Sequence, residues 1–266
     1  MDYIGHYARY LGCHVDAEPG ISVIRSPLRD KAENRRTPLI LSFFAPDRIV
    51  LSVSWDLEAP ARELAGTLET AGADRMELVR CLDDFLFDRF RTYRVEQYQR
   101  MTVDEGTLLD AGSRLELVRP LSQGDKGLVF NHEGLRNRGL RVREHNWVYD
   151  LKLINEGRLF AIVEGGKLLS QSSITEVECG GGNIAVSTDD AHRRKGYGKA
   201  VVHRATTWCF RNGIVPIYWV NADNAASISL ARSIGYKAMH DEIVVTHWPG
   251  DAVDRFKQSD RPSEGG

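Results

Sequence analysis

The sequence predicts an α/β protein, and two observations support this prediction. Ile184–Thr188 and Val215–Asn221 are short runs of strand type, and each is followed by a segment of helix type. Residues 1–110 contain strand-type and helix-type patterns of their own. We therefore expect an N-terminal α/β accessory domain over residues 1–110, a larger α/β domain over residues 114–248 and a polar tail over residues 249–266.

The N-terminal elements follow from hydrophobic spacing and turn residues. Pro46 and Asp47 mark a turn between two apolar runs, and the segment that starts at Met76 has apolar residues at helical spacing. The predicted elements are helix Tyr3–Leu11, strand Ile21–Ile24, a hairpin of Leu39–Phe44 and Ile49–Trp55, and helices Leu57–Thr70 and Met76–Phe90. The predicted apolar stripe of the last helix is Met76, Val79, Leu82, Phe85, Leu86 and Phe90.

Glycines punctuate the larger domain. A polar stretch with two glycines, Asp104–Ser113, marks the expected boundary, Gly165 with Gly166 turns a hairpin, and Gly180–Gly182 indicates a bend or a close backbone approach. The predicted elements are strand Arg114–Leu121, helices Gln123–Leu135 and Glu144–Asn155, a hairpin of Arg158–Glu164 and Lys167–Val177, strand Ile184–Thr188, a helix to about Asn212, strand Val215–Asn221, a helix ending at Gly235 and a last pair of strands.

Composition narrows the class of protein. The chain has 266 residues and a formal net charge of −2, so its overall charge does not indicate a nucleic-acid or membrane-surface partner. No apolar run approaches the ~20 residues of a membrane-spanning helix, and the N-terminus lacks a signal-peptide core. We expect a cytoplasmic protein that binds neither nucleic acid nor membrane. The sequence leaves open whether it forms a homodimer.

The strongest functional signal is the segment Asn183–Ala200, in which a strand, a basic glycine loop and a helix follow one another. A helix N-terminus carries unpaired N–H groups and a partial positive charge, so it can hold phosphates. The loop does not match a phosphate-binding GxxxxGK loop, and Val201 occupies the third small-residue position of a dinucleotide fingerprint. The pattern that remains is RxxGxG, from Arg193 to Gly198.

This segment, together with VPIYWVN and the following NADNAASISLARSIGY, resembles the GNAT acyltransferase superfamily. The resemblance runs from about Arg114 to Trp248. It implies a mixed, mostly antiparallel central sheet, flanked by helices and splayed at the acyl-CoA site. It also implies acetyl-CoA as co-substrate and no metal. The residues it places at the cofactor are Val186, Ser187, Thr188, Arg193, Arg194, Lys195, Gly196, Tyr197, Gly198, Lys199, Asn224 and Ser227.

Acyl transfer to an amine requires a base, because a protonated alkylamine has no lone pair for attack. The candidates are carboxylates next to the motif strand, Glu176 and Glu178 before it and Asp189 and Asp190 after it. We favour Glu176, although a surface carboxylate and a group that only holds the acceptor's cation are alternatives. Many superfamily members carry a tyrosine acid four residues before the glycine after the last helix, whereas this chain has Ala231.

The leading hypothesis is an N-acetyltransferase that transfers acetyl from acetyl-CoA to a primary amine of a small molecule. Aminoglycoside-type antibiotics are one acceptor class, with antibiotic resistance as the biological role. The alternatives are a peptide or protein N-terminal acetyltransferase and a non-catalytic acyl-CoA-binding regulatory protein, and Ala231 favours the last of these.

Overall fold

The structure is a computed structural model that describes residues 2–15, 18–31, 36–71, 74–132 and 137–248. The predicted tail, residues 249–266, lies outside the described residues. The α-helices in the described part are α1 (Tyr3–Leu11), α2 (Glu58–Ala71), α3 (Arg75–Phe87), α4 (Lys126–Asn131), α5 (Leu140–Asn155), α6 (Tyr197–Arg211) and α7 (Ala225–Arg232). The strands are β1 (Gly20–Arg25), β2 (Arg36–Ala45), β3 (Arg48–Val53), β4 (Tyr93–Thr102), β5 (Arg119–Pro120), β6 (Leu159–Glu164), β7 (Lys167–Glu178), β8 (Gly181–Thr188), β9 (Val215–Asn221) and β10 (Lys237–His247).

Met1–His6 and Arg100–Met239 form one compact unit. Its strands follow the order β4-β9-β8-β7-β6-β5. The chain direction alternates from β5 to β8, and β9 then runs parallel to β8. This mixed, mostly antiparallel sheet flanked by helices confirms the predicted fold class.

The sheet of this unit is covered on both faces. Phe160 and Ile162 of β6 pack in a core cluster with residues of α6 and α7, whereas Leu159 and Ala161 pack in a second cluster with residues of α4 and α5. Successive side chains of a strand point to opposite faces, so α5 and α6 lie on opposite sides of the sheet. The two faces of the sheet are therefore covered by different helices, α6 and α7 on one side and α4 and α5 on the other.

The described residues of Tyr7–Gln99 and the segment from His240 to Trp248 form the other unit. Its strand order is β1-β3-β2-β10-β4, with β1 parallel to β3 and β2 antiparallel to both β3 and β10. Helices α2 and α3 cover apolar residues of β2, β3 and β10 in one core cluster. In α3 the fully buried positions are Leu78, Leu82 and Leu86, and Met76 is exposed. The predicted stripe was therefore wrong at Met76. The buried face of α3 is formed by Leu78, Leu82 and Leu86, which lie four residues apart.

Two predicted strands differ from the structure. Arg114–Leu121 was expected to be a strand, but Ser113–Leu117 is a 3₁₀ helix and only Arg119–Pro120 pairs with β6. Pro120 lacks an N–H donor, which limits its pairing. The expected last pair of strands is a single strand, β10.

Strand β4 was not predicted. In that stretch, Arg and Gln residues interrupt the apolar alternation that marks a strand. The unit boundaries fall within β4 and β10, whereas the predicted division lay at residues 110–114. The domain division itself stays a prediction.

The glycine predictions are confirmed. Gly165 and Gly166 both have positive φ angles and join β6 to β7. Cys179 and Gly180 likewise have positive φ angles and join β7 to β8. A Cβ atom on Gly181 would lie 2.2 Å from Cε1 of His6, so only glycine fits beside this buried ring.

Candidate functional site

Strands β8 and β9 part from one another midway along their length. Their parallel register runs over Gly181↔Val215, Gly182↔Pro216 and Asn183↔Ile217, and it ends there. On its other side, β8 stays paired with β7 as far as Thr188. The segment Ile184–Thr188 therefore presents main-chain N–H and C=O groups along an edge that β9 does not fill, as expected for a splayed sheet.

The basic glycine loop follows the open end of β8 directly. Asp190–His192 forms one 3₁₀ turn, and α6 begins at Tyr197 after Gly196, which has a φ of 85°. The first intrahelical bond in this turn joins the N–H of Ala200 to the carbonyl of Gly196, at 3.1 Å. The N–H groups of Tyr197, Gly198 and Lys199 therefore remain available at the helix N-terminus for an anion.

The basic side chains of the loop have different roles. Arg193 forms an ion pair with Asp190 at 2.5 Å, and its Nε donates to the carbonyl of Thr188 at 3.3 Å. Lys195 donates to the carbonyl of Ala191 at 2.8 Å. Arg194 is exposed and has a φ of 59°, and Lys199 is half-buried. Arg193 and Lys195 thus brace the loop, a role that the sequence motif did not indicate.

Arg114 is a candidate site residue that the motif analysis missed. Its guanidinium carbon lies 4.2 Å from the centre of the Tyr197 ring, and its Cδ would lie 3.4 Å from a Cβ on Gly196. This places a further positive charge beside the glycine loop. No local signal reveals it, because Arg114 belongs to the Ser113–Leu117 turn, far from the loop in sequence.

The three predicted residues at the end of β8 do not share one face. Val186 and Thr188 lie 3.9 Å and 3.2 Å from a Cβ on Gly198, on the α6 side of the sheet. Thr188 also exchanges a hydrogen bond with Ser170 at 2.7 Å. By strand alternation, Ser187 points to the α5 side. A ligand along the open edge would meet Ser187 through the main chain or from the opposite face.

Asn224 and Ser227 lie together at the start of α7. The side-chain oxygen of Asn224 accepts a hydrogen bond from the Ser227 N–H at 3.1 Å, so Asn224 caps this helix. The Ser227 hydroxyl shares a hydrogen bond with the Tyr218 hydroxyl at 2.7 Å. Burial raises the pKa of Tyr218. These contacts are structural, and the placement of both residues at the cofactor stays a prediction.

Glu176 and Glu178 lie at the closed end of the gap between β8 and β9. The β7–β8 register shifts between Ile174 and Glu176, and Glu176 then faces Asn183, the last β8 residue paired with β9. Glu176 is exposed, and Glu178 is half-buried beside the β7–β8 turn. The structure places both near the start of the gap, and their assignment as bases stays a prediction.

Tyr218 and Tyr236, whose ring centres lie 5.6 Å apart, both form hydrogen bonds through their hydroxyls. Ala231 is fully buried. The Tyr236 hydroxyl shares a hydrogen bond of 2.7 Å with Thr206, and burial raises its pKa well above the usual range. Tyr218 is bonded to Ser227 as described. Ala231 itself carries no group that could protonate the leaving thiolate.

These findings describe an α/β protein with a basic glycine loop at a helix N-terminus beside an opened sheet. The chain belongs to the GNAT acetyltransferase family, because the family model for GNAT acetyltransferase matches residues 84–243, more than half of the chain. The resemblance seen in the sequence is thereby confirmed. No curated protein matches the chain.

Several solved structures are similar to this chain. An acetyltransferase of the GNAT family from Colwellia psychrerythraea is 14% identical, with 62% of this chain and 60% of that chain covered and a TM-score of 0.45. A putative acetyltransferase of the family from Novosphingobium aromaticivorans is 17% identical, with coverages of 59% and 66% and a TM-score of 0.43. This chain thus spans less than two thirds of both.

A GCN5-related N-acetyltransferase from Sphaerobacter thermophilus is 17% identical, with 76% of this chain and 73% of that chain covered and a TM-score of 0.49.

Within the described residues, no helix combines the length and apolar character that crossing a bilayer requires.

Proposed function

We propose that the protein is an acetyl-CoA-dependent N-acetyltransferase that acts on a primary amine of a small molecule. The observation that carries the proposal is the end of the β8–β9 pairing at Asn183 and Ile217, directly before the glycine loop and the N-terminus of α6. An extended arm with a phosphate group at one end matches this arrangement of an open strand edge and an anion site.

The open edge suits the pantetheine arm of acetyl-CoA. Its amide groups can pair with the main chain of Ile184–Thr188 as an additional strand would. Such pairing requires no particular side chain, which fits the mixed orientation of Val186, Ser187 and Thr188. The acetyl thioester supplies the transferred group and a thiolate leaving group.

The loop suits the pyrophosphate. The N–H groups at the start of α6 and the left-handed Gly196 give the backbone direct access to an anion. Arg194, Lys199 and Arg114 add positive charge around this position, while Arg193 and Lys195 hold the loop in place. Gly198 allows α6 to approach β8 closely, since a Cβ there would contact Thr188.

The acceptor must lose a proton before it attacks the thioester carbon. A carboxylate next to the gap, as predicted for Glu176 or Glu178, would serve this purpose. Backbone N–H groups near Val186 would stabilise the developing oxyanion. Because CoA leaves as a relatively stable thiolate, Ala231 in place of a tyrosine is compatible with catalysis.

Two measurements on one sample test the proposal. Isothermal calorimetry measures acetyl-CoA binding, and a thiol-release assay then follows turnover with kanamycin, tyramine, spermidine and a tripeptide that has a free N-terminus. Binding with release on kanamycin or another small amine supports the proposal. Release on the peptide alone indicates an N-terminal acetyltransferase, binding without release indicates a regulatory acyl-CoA binder, and absence of binding contradicts the site.

A further inference from the structure

Asp150 is a half-buried carboxylate on α5. It follows Trp147 by three residues and precedes Leu153 by three, so it lies on the same helix face as these two buried side chains. Both pack with Leu159 and Ala161 of β6. The Asp150 side of α5 therefore lies over the sheet, on the face opposite α6.

The sheet under α5 changes from apolar to polar toward β8. In register, Leu159 and Ala161 of β6 lie beside Ser173 and Gln171 of β7. Gln171 and Ser173 in turn lie beside Ser187 and Ala185 of β8. These two β8 residues come after the last pair with β9. One strand spacing, ~4.8 Å, therefore separates the polar part of this face from the open edge.

Two oxygen acceptors on this face receive no hydrogen bond from any residue that the structure describes. Oε1 of Gln171 is buried and accepts no hydrogen bond within the described residues. Asp150 receives no hydrogen bond and no opposing charge from the described side chains, and burial raises the pKa of its carboxyl to about 6. A half-buried carboxylate with no cation or donor among the described side chains is destabilising, and a cationic ligand at this position would relieve that cost.

The charged neighbours of Asp150 do not supply that partner. The charged residues on the elements packed against α5 are Lys126 on α4, Glu164 on β6, and Lys167, Glu176 and Glu178 on β7. Lys126 pairs with Glu144 at 2.9 Å. On α5 itself, Lys152 is the charged residue within one turn of Asp150, and it is exposed.

We propose that Asp150 and Gln171 bind the primary ammonium group of the acceptor, and that Asp150 takes up the proton which this ammonium must lose. The proposal rests on the N-acetyltransferase function proposed above. Asp150 becomes protonated as the amine gains its lone pair. The amine nitrogen then forms a bond to the thioester carbon, the C–S bond breaks, and the sulfur leaves with the electron pair. The second nitrogen proton goes to sulfur, and Asp150 returns its proton to solvent.

The carboxylates of Asp150 and Glu176 differ in solvent exposure. Glu176 is exposed and screened by water, whereas Asp150 is partly desolvated and positioned over a polar surface. A carboxylate of raised pKa accepts a proton from an ammonium more readily than an exposed one. Glu176, the base favoured from the sequence, is the competing assignment, and variants of the two residues compare them directly.

The experiment uses the full chain and its Asp150→Asn and Glu176→Gln variants. First, calorimetry with acetyl-CoA and circular dichroism establish that each variant binds the cofactor and is folded. The amine among kanamycin, tyramine and spermidine that gives the fastest thiol release is then chosen as acceptor. Its kcat/KM is measured from pH 6 to pH 9.5. At pH 7 we expect Asp150→Asn to lose about 100-fold in kcat/KM, a typical effect of removing a general base. A loss of this size in Glu176→Gln, with Asp150→Asn close to wild type, would assign the base to Glu176 and overturn the proposal.

The pH profile separates proton transfer from simple binding. An alkylamine with a pKa near ~10 is much more often neutral at pH 9.5 than at pH 7. The Asp150→Asn deficit should therefore shrink by at least about tenfold over this range. A deficit that stays constant with pH, or a variant with near wild-type activity at pH 7, overturns the proposal. Wild-type protein that binds no acetyl-CoA or acetylates none of the amines overturns the proposed function, and the Asp150 assignment with it.

Discussion

A Cβ atom placed on Gly198 would lie 2.7 Å from Cδ1 of Leu230. The first turn of α6 therefore touches α7 without any intervening side chain, and it also lies close to Thr188 at the open end of β8. Gly198 is needed here for close packing, because it lies in the helix and not at a left-handed position. The second glycine of the RxxGxG motif thus holds three elements of the site together.

This packing predicts the effect of Gly198→Ala. Because overpacking a tight contact typically costs ~1–3 kcal/mol, the variant should unfold at lower urea than wild type. Adding Leu230→Ala should recover part of that loss, since it removes the clashing methyl group. Gly127→Ala in α4 is the matched control, because a Cβ there meets nothing within 4 Å, and it should be neutral or stabilising. Equal destabilisation by Gly198→Ala and Gly127→Ala would contradict the packing argument.

The first glycine of the motif allows a test of cofactor binding. Gly196→Glu would place a carboxylate where we propose that the pyrophosphate binds, so acetyl-CoA affinity measured by calorimetry should fall by at least about 30-fold, or ~2 kcal/mol. Gly213→Glu is the control. Gly213 also has a positive φ, 67°, lies just after the other end of α6 and has open space around it. Gly213→Glu should carry similar backbone strain but bind acetyl-CoA with wild-type affinity. If both variants lost affinity to a similar extent, backbone strain would be the cause and the loop assignment would be contradicted.

Arg114 provides an independent test of the charge around the loop. Arg114→Ala should weaken acetyl-CoA binding about 3- to 10-fold, close to ~1 kcal/mol for one partly exposed charge. The loss should be smaller at high salt, because screening reduces the interaction. Arg211→Ala, at the exposed C-terminal end of α6, should bind as wild type does. If Arg114→Ala binds acetyl-CoA normally at low salt, Arg114 serves only to pack against Tyr197.

The sequence was sufficient to predict the local parts of this site. Gly180 and Gly196 have positive φ angles, and Gly181 and Gly198 permit close approaches, so each glycine carries a backbone requirement that can be read from its neighbours. The order of strand, loop and helix around the motif is also a local property. These features account for the success of the predicted fold class.

The remaining parts depend on contacts between distant segments. Arg114 reaches Gly196 only in the folded chain, and Asp150 stands out only once its helix face is known to be buried. Strand β4 was not predicted because its polar residues hide the alternation. Tertiary contacts overrode the local signal at each of these places.

The stability of the protein should depend on pH through Asp150. The pKa of its carboxyl is raised to about 6 in the folded protein, above the usual ~3.9 of an unfolded chain. Below pH ~4 both states are protonated and the group contributes nothing. As pH rises to 6, the unfolded chain ionises first, so stability is lost progressively, by up to ~3 kcal/mol at pH 7 and above. Asp150→Asn should therefore be more stable than wild type at pH 8 and similar to it at pH 4, measured by urea unfolding.

Asp125→Asn is the control of opposite sign for this measurement. Asp125 accepts hydrogen bonds from Arg119 and Ser122, and the Arg119 bond is the largest cause that lowers its pKa well below the usual range. A lowered pKa stabilises the folded protein above pH ~4, so Asp125→Asn should be less stable than wild type at pH 8. The two variants should thus diverge as pH rises. An Asp150→Asn stability change that is the same at pH 4 and pH 8 would show that its carboxylate is not desolvated, which would remove the physical basis for placing an ammonium group beside it.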